Sequence, residues 1–109
     1  MTSNYKSNYK SFGLQCASGW KSLYEPLIDE VTRLDGEVLQ VKEKFAGLRF
    51  YYSVPATISK EVHEQLTKKV AAAEDKSFEI CEECGEPGQR AGKGWIRTLC
   101  EKHAKEWDR

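Results

Sequence analysis

Toward the C-terminal end of the chain, Cys81-Glu82-Glu83-Cys84-Gly85 is followed by Cys100-Glu101-Lys102-His103, with fifteen residues between Cys84 and Cys100. Two ligand pairs of identical internal spacing restrict what a short chain can fold into more than any other feature of this sequence. Each pair offers two donors to one ion, and zinc favours four thiolate or imidazole ligands in a tetrahedron. The pattern C-x2-C-x15-C-x2-H is therefore read as one structural zinc site, with Cys81, Cys84, Cys100 and His103 as ligands. Gly85 permits a tight turn that aims backbone amides at the sulfurs. Four protein ligands leave no position open for water, which argues against a catalytic ion. The nucleobase-deaminase pattern, His-x-Glu with a later Pro-Cys-x-x-Cys, is not met: Glu64-Gln65 follow His63, and Ile80 precedes Cys81.

The stretch between the ligand pairs supports the reading. Residues 89–91 and 95–99 can pair as a hairpin around Gly92-Lys93-Gly94, and Cys100 and His103 then open a short helix ending near Trp107. Knuckle, hairpin and helix in that order resemble a treble-clef zinc module, expected over residues 79–109 and packed on a preceding core.

That core is expected over residues 19–78. Trp20, Tyr24, Leu27, Val31 and Leu34 recur at three- and four-residue steps and predict a helix over 20–34. Ser22 with Glu25 reads as a capping box, Pro26 as a first-turn residue, and Gly36 as the positive-φ terminator. The period then changes to two. Leu39, Val41 and Phe45 are assigned to one face of a strand, and Lys42 and Lys44 to the other. Leu48, Phe50, Tyr52 and Val54 oppose Arg49, Tyr51 and Ser53 on a second strand. Gly47 is expected in the hairpin turn, with Glu43 solvated at the rim. Pro55 breaks the strand, Thr57 or Ser59 caps the next helix, and Ile58, Val62, Leu66, Val70 and Ala73 give it an apolar stripe to about Lys76. The fold class is therefore α+β: a helix–β-hairpin–helix core, one sheet face covered by two helices, followed by the zinc module. Residues 1–18, with Ser3-Asn4-Tyr5-Lys6 repeated at once as Ser7-Asn8-Tyr9-Lys10, read as a polar N-terminal arm.

Seventeen basic against seventeen acidic side chains give a formal net charge of zero, so the basic excess common in nucleic-acid binders is absent. No apolar run approaches the roughly 18 residues of a membrane span. Residues 1–15 contain no apolar leader, and the expected location is the bacterial cytoplasm, where clustered thiols bind metals rather than pair. Cys16 has no partner spacing, His63 reads as a surface histidine, and no phosphate loop, nucleophile elbow or carboxylate pair is present, so no enzyme is expected.

The strings Gly19-Trp20, Pro26-Leu27-Ile28, Gln40-Val41-Lys42-Glu43-Lys44-Phe45-Ala46-Gly47-Leu48-Arg49-Phe50-Tyr51, the Cys81 knuckle and Gly94-Trp95-Ile96-Arg97-Thr98-Leu99-Cys100 resemble a set of small zinc-binding proteins of bacteriophage and bacterial genomes. The resemblance spans about residues 19–105. It transfers no catalytic residues and implies a phage or prophage accessory protein that modulates a host defence or nucleic-acid-processing complex. The expectation is thus a non-enzymatic protein-binding module. Its candidate surface is Lys42, Lys44, Arg49 and Tyr51 on the outer hairpin face, with Arg90, Lys93 and Arg97 on the zinc hairpin and Tyr5 and Tyr9 on the arm. The alternative is a nucleic-acid-binding regulator using the zinc hairpin and the arm.

Overall fold

The computed structural model describes residues 13–107. The apolar stripe of residues 20–34 forms a 3-10 turn, Ser18–Trp20, leading into helix α1, Lys21–Arg33. Its inner face, Trp20, Tyr24, Leu27, Ile28 and Val31, is buried. The expected capping box does not form. The N-cap is Trp20, without a side-chain cap, because the 3-10 turn itself feeds the chain into the helix. Pro26 consequently lies inside α1, where its missing N–H removes one helical bond. At the other end Asp35, not Gly36, takes positive φ (60°). Asp35 N–H bonds the Thr32 carbonyl at 3.0 Å and Gly36 N–H the Val31 carbonyl at 2.8 Å, a Schellman closure. Gly36 is required for space instead, since a Cβ there would stand 2.5 Å from the Ser53 carbonyl oxygen.

The sheet has three strands, ordered β1 (Gly13–Gln15), β2 (Glu37–Lys44), β3 (Gly47–Ser53). β1 falls within the stretch expected as a polar arm. It pairs parallel to β2, so α1 is the crossover of a β–α–β unit, and three residues are too few to announce a strand by alternation. β3 returns antiparallel.

A register shift between Val38 and Gln40 changes the expected faces of β2. The extra residue, Leu39, turns outward and half-exposed, while Val38 and Val41 face inward opposite Tyr52 and Phe50. Phe45, expected on the apolar face, is 67% exposed. It sits instead in the two-residue turn with Ala46, and both have positive φ, 53° and 72°, as in hairpin turns of the I′ kind. Gly47 is not the turn residue but the first of β3, where a Cβ would run into the Phe78 ring. A bulky residue in the left-handed region costs on the order of 1 kcal/mol and needs outside support. The Glu43 carboxylate accepts the Ala46 N–H at 2.9 Å, and the Thr98 hydroxyl donates to the Ala46 carbonyl at 2.6 Å.

Ser59 caps helix α2, Lys60–Lys76, its hydroxyl accepting the Val62 N–H at 3.2 Å. Leu66 and Val70 bring α2 beside α1 on the inner sheet face, against Val38, Val41, Leu48 and Phe50. β3 is an edge strand, and α2 closes that edge. Phe50 N–H bonds Glu74 Oε2 at 3.0 Å, and Leu48 N–H bonds the hydroxyl of Ser77, in the following 3-10 turn, at 2.8 Å. The chain then makes the cysteine knuckle, a small antiparallel pair, β4 (Gln89–Ala91) and β5 (Arg97–Leu99), and helix α3 (Glu101–Trp107).

Ser77 is fully buried and its hydroxyl also donates to the Glu74 carbonyl. Ser77→Ala should therefore cost about 1–3 kcal/mol in urea unfolding, because the Leu48 amide is left buried without a partner. Phe45→Asn, by contrast, should leave the unfolding midpoint unchanged or raise it, since asparagine tolerates positive φ and the ring packs no core.

Candidate metal centre

The knuckle forms because Gly85 reaches a φ of 83° and returns its N–H to the Cys81 carbonyl at 2.9 Å. This tight turn swings Cys84 back toward Cys81, while β5 delivers Cys100 and the first turn of α3 delivers His103. One ligand atom from each of Cys81, Cys84, Cys100 and His103 lies within 4.8 Å of the others. Cys84 Sγ is 3.8 Å from Cys100 Sγ, and His103 Nδ1 is 3.5 Å from Cys81 Sγ and 3.2 Å from Cys100 Sγ. A tetrahedral ion with bonds of about 2.3 Å to sulfur and 2.0–2.1 Å to nitrogen sets S···S edges near 3.8 Å and S···N edges near 3.5 Å. The four predicted residues thus come together in a geometry that fits such an ion. No disulfide competes, since all four cysteines of the chain are free thiols.

The electrostatics of the cluster favour a cation. Burial pushes the Cys81 thiol up, but the backbone N–H groups of Cys100, Cys84 and Glu83 outweigh it and bring it down to about 7. At Cys84 the Glu86 amide pulls downward, yet burial and the neighbouring Cys81 and Cys100 sulfurs leave the thiol raised. Crowded thiolates repel one another, and a metal ion removes that repulsion.

Glu82, inside the knuckle, was not among the expected functional residues. It is only 3% exposed. Its Oε2 accepts the Ala17 N–H at 2.9 Å and its Oε1 accepts Arg97 Nε at 2.9 Å. Arg97 donates a second bond to Glu83 at 2.7 Å and lies 4.9 Å from the Trp107 ring centroid. Arg97 therefore leaves the expected binding surface. Its side chain is 14% exposed and both carboxylate bonds are internal. Arg90 and Lys93 remain exposed. Tyr5 and Tyr9 lie outside the described residues.

The second group of expected site residues is brought together. On the outer sheet face Lys42 pairs across from Arg49 and Gln40 from Tyr51, and Arg49 and Tyr51 are exposed. Lys42 Nζ stands 5.8 Å from the Tyr51 ring centroid, and Lys44 Nζ 5.7 Å from that of Phe45. Two residues missed from sequence adjoin this face: Phe45, carried outward by its place in the turn, and Trp95, 68% exposed. Glu43, expected to be solvated, instead clamps the two modules, since its Oε1 accepts Trp95 Nε1 at 3.1 Å while Oε2 holds the turn. The signal for Glu43 was a carboxylate on the apolar side of a strand next to a tight turn.

Cys16 is a packed thiol. Burial, then the charges of Glu82 and Glu43, push it from 9.0 to about 12. His63 is exposed and joins no described cluster. Among the described residues no helix is long and apolar enough to cross a membrane. Comparisons with protein-family models, with curated proteins and with solved structures each return no match.

Removing Arg97 strands a buried carboxylate. Arg97→Ala should cost about 3–5 kcal/mol in chemical denaturation, whereas Arg90→Ala and Lys93→Ala should stay within about 0.5 kcal/mol of the parent. Cys16 titrates above its unfolded value, so its protonated form stabilises the fold fully below pH 9.0, and this contribution is lost as pH rises toward about 12. In iodoacetamide labelling at pH 8, read by peptide mass spectrometry, Cys16 should stay unmodified in the folded protein and label rapidly in denaturant.

Proposed function

We propose that the chain is a zinc-stapled, non-enzymatic protein-binding module. Zinc is the metal that best suits the donor set. Three thiolates and one imidazole are soft to borderline ligands, and they complete a tetrahedron without an open position. Bound there, the ion would supply folding energy and no chemistry. Its residues would act through Glu82 and Arg97, which carry the position of the ligands into the core.

The observation that carries the binding reading is the exposed basic and aromatic patch on the outer face of the sheet, Arg49 and Tyr51 beside Lys42. A strand pair needs Val41, Leu48 and Phe50 inward, but nothing in folding needs Lys42, Arg49 and Tyr51 clustered outward. Like charges directly opposite on neighbouring strands oppose pairing, as Lys42 and Arg49 do here. Arginine and tyrosine are the residue types that carry most binding energy at protein interfaces. A setting in phage, modulating a host defence or nucleic-acid-processing complex, rests on the family resemblance alone. The nucleic-acid reading loses Arg97 to its internal carboxylate bonds and keeps only Arg90 and Lys93 on the zinc hairpin.

Elemental analysis of the purified chain should return about one zinc per molecule. Chelation or Cys84→Ser should abolish hydrogen-exchange protection over residues 79–107, and full protection in metal-free protein would refute the staple. Affinity capture from bacterial lysate with quantitative mass spectrometry tests the binding reading. A stoichiometric protein retained by the parent and lost with Arg49→Glu/Tyr51→Ala supports it. Recovery of nucleic acid alone, abolished by raising salt, favours the regulator instead.

A further inference from the structure

The turn at Phe45 and the loop at Trp95 come from the two halves of the chain and meet in a shallow groove of about 600 Å³. Its lining includes Lys42, Lys44, Phe45, Trp95 and Ile96. Phe45 and Trp95 are the two most exposed large apolar residues among those described. Neither exposure is forced by the fold. Phe45 holds a left-handed backbone that asparagine or glycine would take with less strain, and its ring contributes nothing to the core. Trp95 is fixed by its indole N–H on Glu43, which leaves the ring face turned to solvent.

The charge around the groove is predominantly positive. Among the described lining residues Glu43 is the single acid beside Lys42 and Lys44, and both its oxygens are held in place, one by the Ala46 amide and one by the Trp95 indole. No ion pair among the described residues involves Lys42, Lys44 or Arg49. Lys42 and Lys44 instead stand over aromatic rings, Tyr51 and Phe45. Two ammonium groups beside the exposed rings of Phe45 and Trp95 match a ligand that carries carboxylates next to an apolar side chain.

We propose that this groove docks an acidic protein segment, seating a leucine or aromatic anchor between Phe45 and Trp95 while its carboxylates meet Lys42 and Lys44. The proposal rests on the protein-binding reading and narrows it to one site and one partner chemistry. A single-stranded nucleic acid shares the negative charge and would stack on the same rings. It needs a run of cations to follow its phosphates, however, and the groove supplies two. One wall, Gly94 to Ile96, belongs to the hairpin held by the metal ligands, so docking also depends on the metal centre.

The test is selection of a displayed random peptide library, twelve residues long, on the immobilised full chain. An enriched peptide is then titrated by fluorescence polarisation. The enriched set should carry aspartate or glutamate beside leucine or an aromatic residue. Affinity should fall at least tenfold in Phe45→Asn and in Lys44→Glu, and remain unchanged in Arg90→Glu, which lies on β4. Phe45→Asn is the safeguard against misfolding, since that substitution suits the backbone, and circular dichroism and metal content verify each variant. A selected set without acidic residues overturns the proposal. So does affinity indifferent to both groove variants, or displacement by an oligothymidylate of equal charge at equal or lower concentration. The two readings fail separately. If the parent chain captures no protein from lysate, the binding reading falls. If a partner is captured equally by the Phe45→Asn and Lys44→Glu chains, only the groove falls.

Discussion

Glu82 has every polar group engaged, and its bonds tie the entry to α1 and strand β5 to the knuckle. Its N–H donates to the Thr98 carbonyl at 2.9 Å and its carbonyl accepts the Gly19 N–H at 2.6 Å. One carboxylate oxygen takes the Ala17 N–H and the other takes Arg97. A carboxylate this deeply buried persists only when its charge is paired and its lone pairs are filled, and both conditions hold here. The entry to α1, the knuckle and β5 therefore meet at one residue, which sits between two metal ligands. Gly19 is forced by the same junction, because a Cβ would collide with the carbonyl oxygens of Cys81 and Glu82.

This junction makes the candidate metal centre part of the core. Trp20, fully buried, donates its indole N–H to the Ile80 carbonyl at 2.9 Å, one residue before the first ligand. On the opposite side Thr98, also fully buried, holds the strained turn at Ala46, two residues before the third ligand. Displacing either ligand pair thus pulls on the start of α1 and on the tip of the β2–β3 hairpin together. In a chain of 109 residues, with a single modest apolar core, such cross-ties make up for limited hydrophobic area. They also explain why the surface around Phe45 and Trp95 is shaped jointly by both halves.

The ligand set, the two long helices, the hairpin and the closing short helix were legible in the sequence because each rests on a local spacing. What was not legible is instructive in the same terms. The bulge at Leu39 adds one residue, and one residue reverses a period of two, so Leu39 faces outward although its spacing to Val41 places it inward; Phe45 faces solvent for a different reason, because β2 ends at Lys44 and the turn begins. β1 is too short to carry alternation and exists only by pairing with β2. Gly36 and Gly47 were read as conformational when both are steric, because sequence does not say which neighbour comes close. Arg97 was counted as a surface cation, since its carboxylate partners lie fourteen and fifteen residues away, in the knuckle. Spacing located the site; long-range hydrogen bonds decided which neighbouring charges were free.

That distinction changes what zero net charge means for this protein. Seventeen acids balance seventeen bases in the count, but the acids that matter most to the fold are used inside it. Glu43 and Glu74 hold strand and turn amides, and Glu82 with Glu83 neutralises Arg97. A carboxylate that accepts a backbone N–H is fixed in place and directs its charge at that donor. Lys42, Lys44 and Arg49 project from the outer sheet face and its turn with no ion-pair partner among the described residues. The global balance therefore conceals a local positive field beside exposed aromatic rings. Because a field of this kind is screened over about 10 Å at 0.1 M salt, it acts only on what docks against it. A surface of this kind would select partners at contact rather than from a distance, which is the behaviour the proposed binding module requires of a chain without a basic excess.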